Sequence, residues 1–297
     1  MAPAYSKPVS FFDCILEKCR EYWKQPNGQL KHQTAGPGPD LDPSVIHDII
    51  LYRGTFNPPH EAHKAAFFVA KQHSGLEISA ALLLAKRDDW VRDKLSRKLE
   101  DGPQILFEKG ARFDLWEEHN IADSWYRVVG DTDGIHWRIR KKLRKKGVRI
   151  RWVHIVGPEY LDEPNFMHEF GVYHEVLVCS NDSRQPFFDP DGGQPIKLED
   201  ALGEWELDVR AQSMNASAAD DIKVWVTKMK GGGEARYIQF AGGPRREMSS
   251  TMIRKILKAE DKDAAARSPV KDMALNARKI ALGLVKWTWY TGEGDNS

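Results

Sequence analysis

Residues 48–63 read Asp-Ile-Ile-Leu-Tyr-Arg-Gly-Thr-Phe-Asn-Pro-Pro-His-Glu-Ala-His, and the reading of the whole chain turns on them. Ile49 to Tyr52 are a short apolar run of the kind that makes a buried strand. Gly54 ends the run, and Pro58-Pro59 make a turn. Ala65, Ala66, Phe67, Val69 and Ala70 then carry a helical pattern, with no Gly or Pro before Gly75. His60 and His63 therefore fall in the first turn of a helix entered from a strand, and a spacing of three puts them on one face. Backbone N–H groups at such an end lack partners within the helix and have the positive end of its dipole behind them. Two imidazoles beside that end suit a polyphosphate.

Gly54-Thr55-Phe56-Asn57-Pro58, with His60 and His63 behind it, resembles the first signature of the nucleotidyltransferase superfamily, Gly-x-Phe-x-Pro-x-(His/Thr)-x-Gly-His. It is most similar to the nicotinamide/nicotinate mononucleotide adenylyltransferases, where Gly-(Ser/Thr)-Phe-Asn-Pro is usual. Ala62 departs from the pattern, which has Gly before the last His; the change is small and leaves both His positions in place. Residues 245–257 read Arg-Arg-Glu-Met-Ser-Ser-Thr-Met-Ile-Arg-Lys-Ile-Leu. Ser249, Ser250 or Thr251 suits an N-cap, and Ile253, Ile256 and Leu257 form the buried stripe of the helix that follows. Arg254 lies one turn in, on the side of Ser250 and Thr251. Taken alone, that string reads first as an ordinary capped amphipathic helix with a surface Arg. Ser249 to Arg254, with Met248 at the apolar position, resemble the superfamily's second signature, (Ile/Val)-Ser-Ser-Thr-x-Ile-Arg. Both signatures stand in the right order, each opening a helix.

At 297 residues the chain can bury a full core. Its 44 basic and 43 acidic residues nearly cancel, so no overall field favours nucleic acid or a membrane. No apolar stretch is long enough to span a bilayer. Asp13, Glu17 and Glu21 near the start are unlike a secretion signal. Cys14, Cys19 and Cys179 are too few and too badly spaced for a disulfide scaffold or zinc site, which points to a reducing compartment, cytoplasmic or nuclear.

Residues 9–24 read as an amphipathic helix, with Phe11, Phe12, Ile15, Cys19, Tyr22 and Trp23 largely on one side, expected to dock on the main domain. Gln25 to Pro43 read as a flexible linker. From Val45 strands and helices alternate: a second strand at Ile78–Ala85, a helix near Ile105–His119, and strands near Tyr126–Val129, Arg151–Val156, Glu175–Cys179 and Arg236–Phe240. A further helix spans Ile135–Lys146, and residues 268–287 read as a terminal helix. This order indicates an α/β fold with a parallel sheet covered on both faces. The resemblance makes it a Rossmann-like doubly wound sheet of the nucleotidyltransferase type with an N-terminal helical extension. The division is 1–44 helix and linker, 45–290 nucleotidyltransferase domain and 291–297 tail. Residues 181–235, rich in Asp, Gly, Pro, Ser and Lys, read as an insertion; disorder, a strand near Ile222–Val226, a lid and an oligomer contact are all open there.

Gly157 and Glu159 follow a strand and open a helix; in similar adenylyltransferases such a turn lies near the adenosine sugar, although Pro158 also suits a plain first helical position. Trp90, Trp125 and Trp137 are candidate platforms for a pyridine ring, with core filling as the ordinary role. Lys86, Arg87 and Lys94 stand where similar enzymes hold a substrate-phosphate cation. The basic run Lys141 to Lys146, with Leu143 inside it, reads as a solvated helix end. Cys179-Ser180-Asn181-Asp182-Ser183-Arg184 does not match the family's Arg-x-Gly near the adenine.

The resemblance implies an adenylyltransferase that joins ATP to a pyridine mononucleotide, making a dinucleotide such as NAD and releasing pyrophosphate. It places His60 and His63 on the α- and β-phosphates, beside Gly54, Thr55, Phe56 and Asn57. It places Ser249, Ser250, Thr251 and Arg254 at the β/γ end, with a hydrated Mg²⁺ bridging phosphate oxygens. The expected partners are therefore the two nucleotides. Another nucleotidyltransferase, using CTP or a different acceptor, stays open, as does a non-catalytic nucleotide-binding regulator.

Overall fold

A computed structural model describes residues 7–19, 38–117, 125–130, 134–157, 174–180, 194–198, 201–211, 222–230, 232–239, 249–259, 274, 280 and 287–292. The chain enters through β1 (Val9–Ser10) and α1 (Phe11–Cys19), and β1 pairs antiparallel with β2 (Asp40–Leu41). The main body then runs β3 (Ile46–Gly54), α2 (Glu61–His73), β4 (Ile78–Ala85), α3 (Asp88–Ser96), β5 (Gln104–Phe107), α4 (Lys109–Glu117), β6 (Tyr126–Gly130), α5 (Ile135–Lys145) and β7 (Arg149–Val156). After it come β8 (His174–Ser180), β9 (Glu206–Leu207), β10 (Lys223–Lys228), β11 (Glu234–Gln239), α6 (Ser250–Ala259) and β12 (Trp287–Tyr290).

Eight strands form one sheet in the order β6-β4-β3-β7-β8-β11-β10-β9. The first six run parallel, while β10 and β9 are added antiparallel at the far edge. From β3 the chain builds outward through β4 to β6, then returns to place β7 on the other side of β3. The reversal makes a crevice at the carboxyl ends of β3 and β7, the place where open α/β sheets bind ligands. Gly54, Ala85 and Gly130 stand in one row across those ends.

Alternation along β3 covers both faces. Ile50 and Tyr52 pack with Phe67 of α2 and Trp116 of α4. Ile49 and Leu51 pack with Ile139 and Leu143 of α5 and with Phe11, Phe12 and Ile15 of α1. Helices on both sides make this a doubly wound, Rossmann-like α/β sheet. The N-terminal helix docks on the domain as its apolar side predicts.

Two expectations change. The helix expected from Ile105 begins only at Lys109, because Gln104–Phe107 is a strand. Leu106 faces Val91 and Leu95 of α3, whereas Ile105 and Phe107 face Ile253 and Leu257 of α6. That alternation has a period of two, and four apolar-leaning residues are too few to reveal it beforehand. Trp287, the end of the expected terminal helix, opens β12, which pairs antiparallel with β5; most of residues 268–286 lie outside the described set. Of the readings left open for 181–235, the strand near Ile222–Val226 is present as β10; with β9 and the start of β11 the described part of the stretch widens the sheet. Arg236 ties it down by donating to the carboxylates of Asp208 and Glu234 and to the Ser74 carbonyl after α2.

Candidate active site

Gly54 closes β3 because the Phe56 ring folds back over it: a Cβ on Gly54 would meet that ring at 2.6 Å. Phe56 holds a left-handed φ of 46° and is 1% exposed. Such a conformation in a bulky residue persists only when its surroundings over-determine it. Here they do. The Asn57 side chain, 2% exposed, donates to the Ile105 carbonyl (3.0 Å) and accepts from the Phe107 N–H (2.7 Å), completing the edge of β5. The amide expected near ATP is therefore anchored to β5 by one donated and one accepted bond.

His60 caps α2. Its Nδ1 accepts from the His63 N–H at 3.4 Å, while the His63 Nδ1 accepts from the His60 N–H at 3.3 Å. The rings stack with centroids 3.6 Å apart. An Nδ1 that accepts from a backbone donor carries no proton, so the neutral His63 ring bears its hydrogen on Nε2. His63 is thus an Nε2–H donor, the form that binds phosphate oxygens. Phe56 and Tyr52 stand edge-on to His63. Burial, then the charges of His60 and Lys94, hold the His63 ring well below the ordinary imidazole range, so it is neutral at pH 7. Ala62, the departure from the family pattern, puts its methyl into the cluster with Ile253 and Leu257. It therefore packs the two signature helices together.

The second signature closes on the first. Ser249 is the cap that the sequence left open among three hydroxyls: its Oγ accepts from the Met252 N–H at 3.1 Å. Ser250 Oγ donates to the Pro58 carbonyl at 2.8 Å. Arg254 donates to the Asn57 carbonyl at 2.5 Å and to Thr251 Oγ1 at 3.2 Å. The two helix openings, nearly 200 residues apart in sequence (Arg254 and Asn57 differ by 197), share one crevice. Arg254 is 6% exposed and no carboxylate among the described residues pairs with it. Its Nε meets no partner, and burial alone lowers its pKa to about 10. It remains a cation at pH 7. A buried guanidinium without a countercharge is costly and suits an anion that arrives later.

Sequence reasoning missed Arg112. Fully buried on α4, it donates to the Thr55 carbonyl (2.6 Å), the Lys86 carbonyl (2.8 Å) and Asp88 Oδ1 (2.6 Å). An Arg set among Ala111, Phe113, Leu115 and Trp116 was the available signal.

The weaker candidates separate. Gly157 stands one residue past β7 at the crevice; Glu159 lies outside the described residues, as does Met248. Trp125 belongs to the core, stacked on Phe67 at 4.7 Å. Trp90 and Trp137 are exposed beyond β4 and β6, and the Lys86 ammonium lies 4.6 Å from the Trp90 ring. Arg87 forms a surface pair with Asp89, and Lys94 bears on His63. Lys141 and Arg144 to Lys146 are exposed, as a solvated helix end requires. No described helix is long and apolar enough to cross a membrane.

No protein-family model matches the chain, and no curated protein matches it. Among solved structures, nicotinic acid mononucleotide adenylyltransferase of Plasmodium falciparum complexed with NaAD is 13% identical, covers 80% of this chain and 96% of that chain, and has a TM-score of 0.42. The same enzyme complexed with APC is 12% identical with the same coverage and a TM-score of 0.43. Scores of this size leave the functional reading to the geometry of the site.

Proposed function

We propose that the chain is a nucleotidyltransferase that transfers AMP from ATP to a pyridine mononucleotide, forming a dinucleotide and pyrophosphate. The observation that carries this reading is the convergence of the His60/His63 pair and Arg254 on one crevice. An oxygen of the acceptor's 5′-phosphate attacks the α-phosphorus in line, and the bond to the bridging β-phosphate oxygen breaks. Phosphate oxygen is a competent nucleophile at neutral pH, so alignment and charge neutralisation suffice. The Nε2–H groups of His60 and His63 donate to the α- and β-phosphates as negative charge crowds there. Thr251 and Arg254 hold the β/γ end and the departing pyrophosphate, with Ser249 and Ser250 shaping that helix opening. Exposed Trp90, with Lys86 beside it, is a platform for the pyridine ring.

The reaction implies Mg²⁺. Among the described residues no group of three or more His, Cys, Asp or Glu could hold a metal ion. The ion would therefore come and go on the triphosphate, where it supplies neutralisation of the phosphate oxygens.

The direct test incubates the protein with ATP, Mg²⁺ and each pyridine mononucleotide, and measures dinucleotide and pyrophosphate. We expect both products, and a loss of about 10²–10³-fold in His63→Ala at an unchanged circular dichroism spectrum. Binding of ATP without pyrophosphate release from any acceptor would overturn the enzymatic reading and leave a nucleotide-binding regulator. Release with CTP or other acceptors alone would overturn only the choice of substrate.

A further inference from the structure

Arg112 is fully buried, yet Asp88 neutralises its charge, so its value to the site is not electrostatic. Its fork reaches the loops at the carboxyl ends of two neighbouring strands. One arm takes the Thr55 carbonyl after β3, and the other takes the Lys86 carbonyl after β4. In a planar trans peptide the N–H points opposite to the C=O. Drawing the Thr55 oxygen inward to a buried guanidinium turns the Phe56 N–H away from the interior. Drawing the Lys86 oxygen inward turns the Arg87 N–H the same way. The ladder bond from the Lys86 N–H to the Gly54 carbonyl (3.0 Å) holds the two loops side by side. The left-handed Phe56 gains from Arg112 a restraint on the peptide that precedes it, as Asn57 and Arg254 restrain those that follow.

We propose, resting on the transfer reaction read above, that Arg112 is a positioning residue. One guanidinium sets two peptide planes, so that the Phe56 N–H meets the nucleotide phosphates and the Arg87 N–H meets the acceptor phosphate. It touches neither substrate. It aligns the loop of the phosphate donor with the loop of the acceptor, the relation that an in-line displacement depends on. A lysine keeps the charge but reaches only one carbonyl at a time, so it does not replace the fork.

The test compares Arg112→Lys, Asp88→Asn and the charge-free pair Arg112→Met/Asp88→Leu, which removes both ions together and so leaves no buried charge to unfold the protein. Each is assayed for pyrophosphate release and, with labelled backbone, for movement of the Phe56 and Arg87 amide resonances on adding ATP and Mg²⁺. We expect kcat to fall about 100-fold in Arg112→Lys and in the double variant, while KM for ATP stays within about threefold. Asp88→Asn, which leaves both carbonyl bonds in place, should stay within about threefold of the parent. The ATP-induced shift of the Phe56 amide should be lost wherever the fork is lost. Retained kcat in Arg112→Lys or in the double variant would overturn the proposal, and so would an equal loss in Asp88→Asn. Should the parent protein release no pyrophosphate, the transfer reading fails, and the amide resonances still decide: a Phe56 shift that survives loss of the fork overturns the positioning role.

Discussion

Arg112 and Arg254 are both buried guanidinium groups bonded to carbonyls of the same loop, at Thr55 and at Asn57. They differ in what balances them. Arg112 has the Asp88 carboxylate, which works against the effect of burial on its pKa. Arg254 has no such partner among the described residues, and nothing offsets its burial. Arg236, the third, is balanced by Asp208 and Glu234. A compensated buried cation is a structural joint, whereas an uncompensated one holds a place for an anion. Proteins tolerate the second kind where a ligand completes it.

The largest effect that can break this contrast is Arg254→Ala against Arg112→Met. Arg254→Ala should lower turnover by about 10²–10³-fold and leave thermal stability equal or higher, since it removes a charge that folding had to desolvate. The stabilisation that ATP confers should shrink in the same variant. Arg112→Met should do the reverse at rest, costing about 3 kcal/mol in urea unfolding by orphaning two carbonyls and Asp88. Equal stability losses in both would sink the distinction between joint and site.

Asn57 comes next. Its side chain makes two buried hydrogen bonds to β5, and its carbonyl receives Arg254. Asn57→Ala should therefore cost about 2–3 kcal/mol, read by chemical denaturation, by removing one acceptor and one donor from the β5 edge. A loss confined to activity, with stability intact, would make Asn57 a ligand contact after all.

The parallel strands were legible because β3, β4 and β7 are apolar runs bounded by turn residues, and β4 ends where the pattern predicts. Both helix openings were legible too, since capping and periodicity are local signals. Their meeting follows from the resemblance, which sets both on one triphosphate; that Arg254 ends against the Asn57 carbonyl is a tertiary fact without a local signal. That the Asn57 side chain bonds to β5 was not legible, because its partners, Ile105 and Phe107, lie in a strand too short to show its period. Arg112 was passed over because burial of an arginine depends on three acceptors from two other segments. Of the edge strands, β10 was legible near Ile222–Val226, whereas β9 has two residues, too few to show a period.

The smallest expected effect concerns the histidines, which meet burial among cations in another way. An arginine cannot release its proton at neutral pH, but an imidazole can. His63 is held neutral by burial, His60 and Lys94, and His136 is lowered to about 4 by burial, Arg53 and Arg140. In the unfolded chain both titrate near 6.5, so below that pH the unfolded state binds more protons than the folded one. Stability is therefore whole above pH 6.5 and falls with acidification, for His136 until about pH 4. His136 is only part-buried, and screening keeps its share on the order of 1 kcal/mol. Between pH 6.5 and 5, before most carboxylates take protons, urea midpoints should fall less steeply in His136→Gln and in His63→Gln than in the parent. Parallel slopes in all three would mean that these rings accept protons freely in the folded protein, and that unbalanced positive charge is not what sets this site apart.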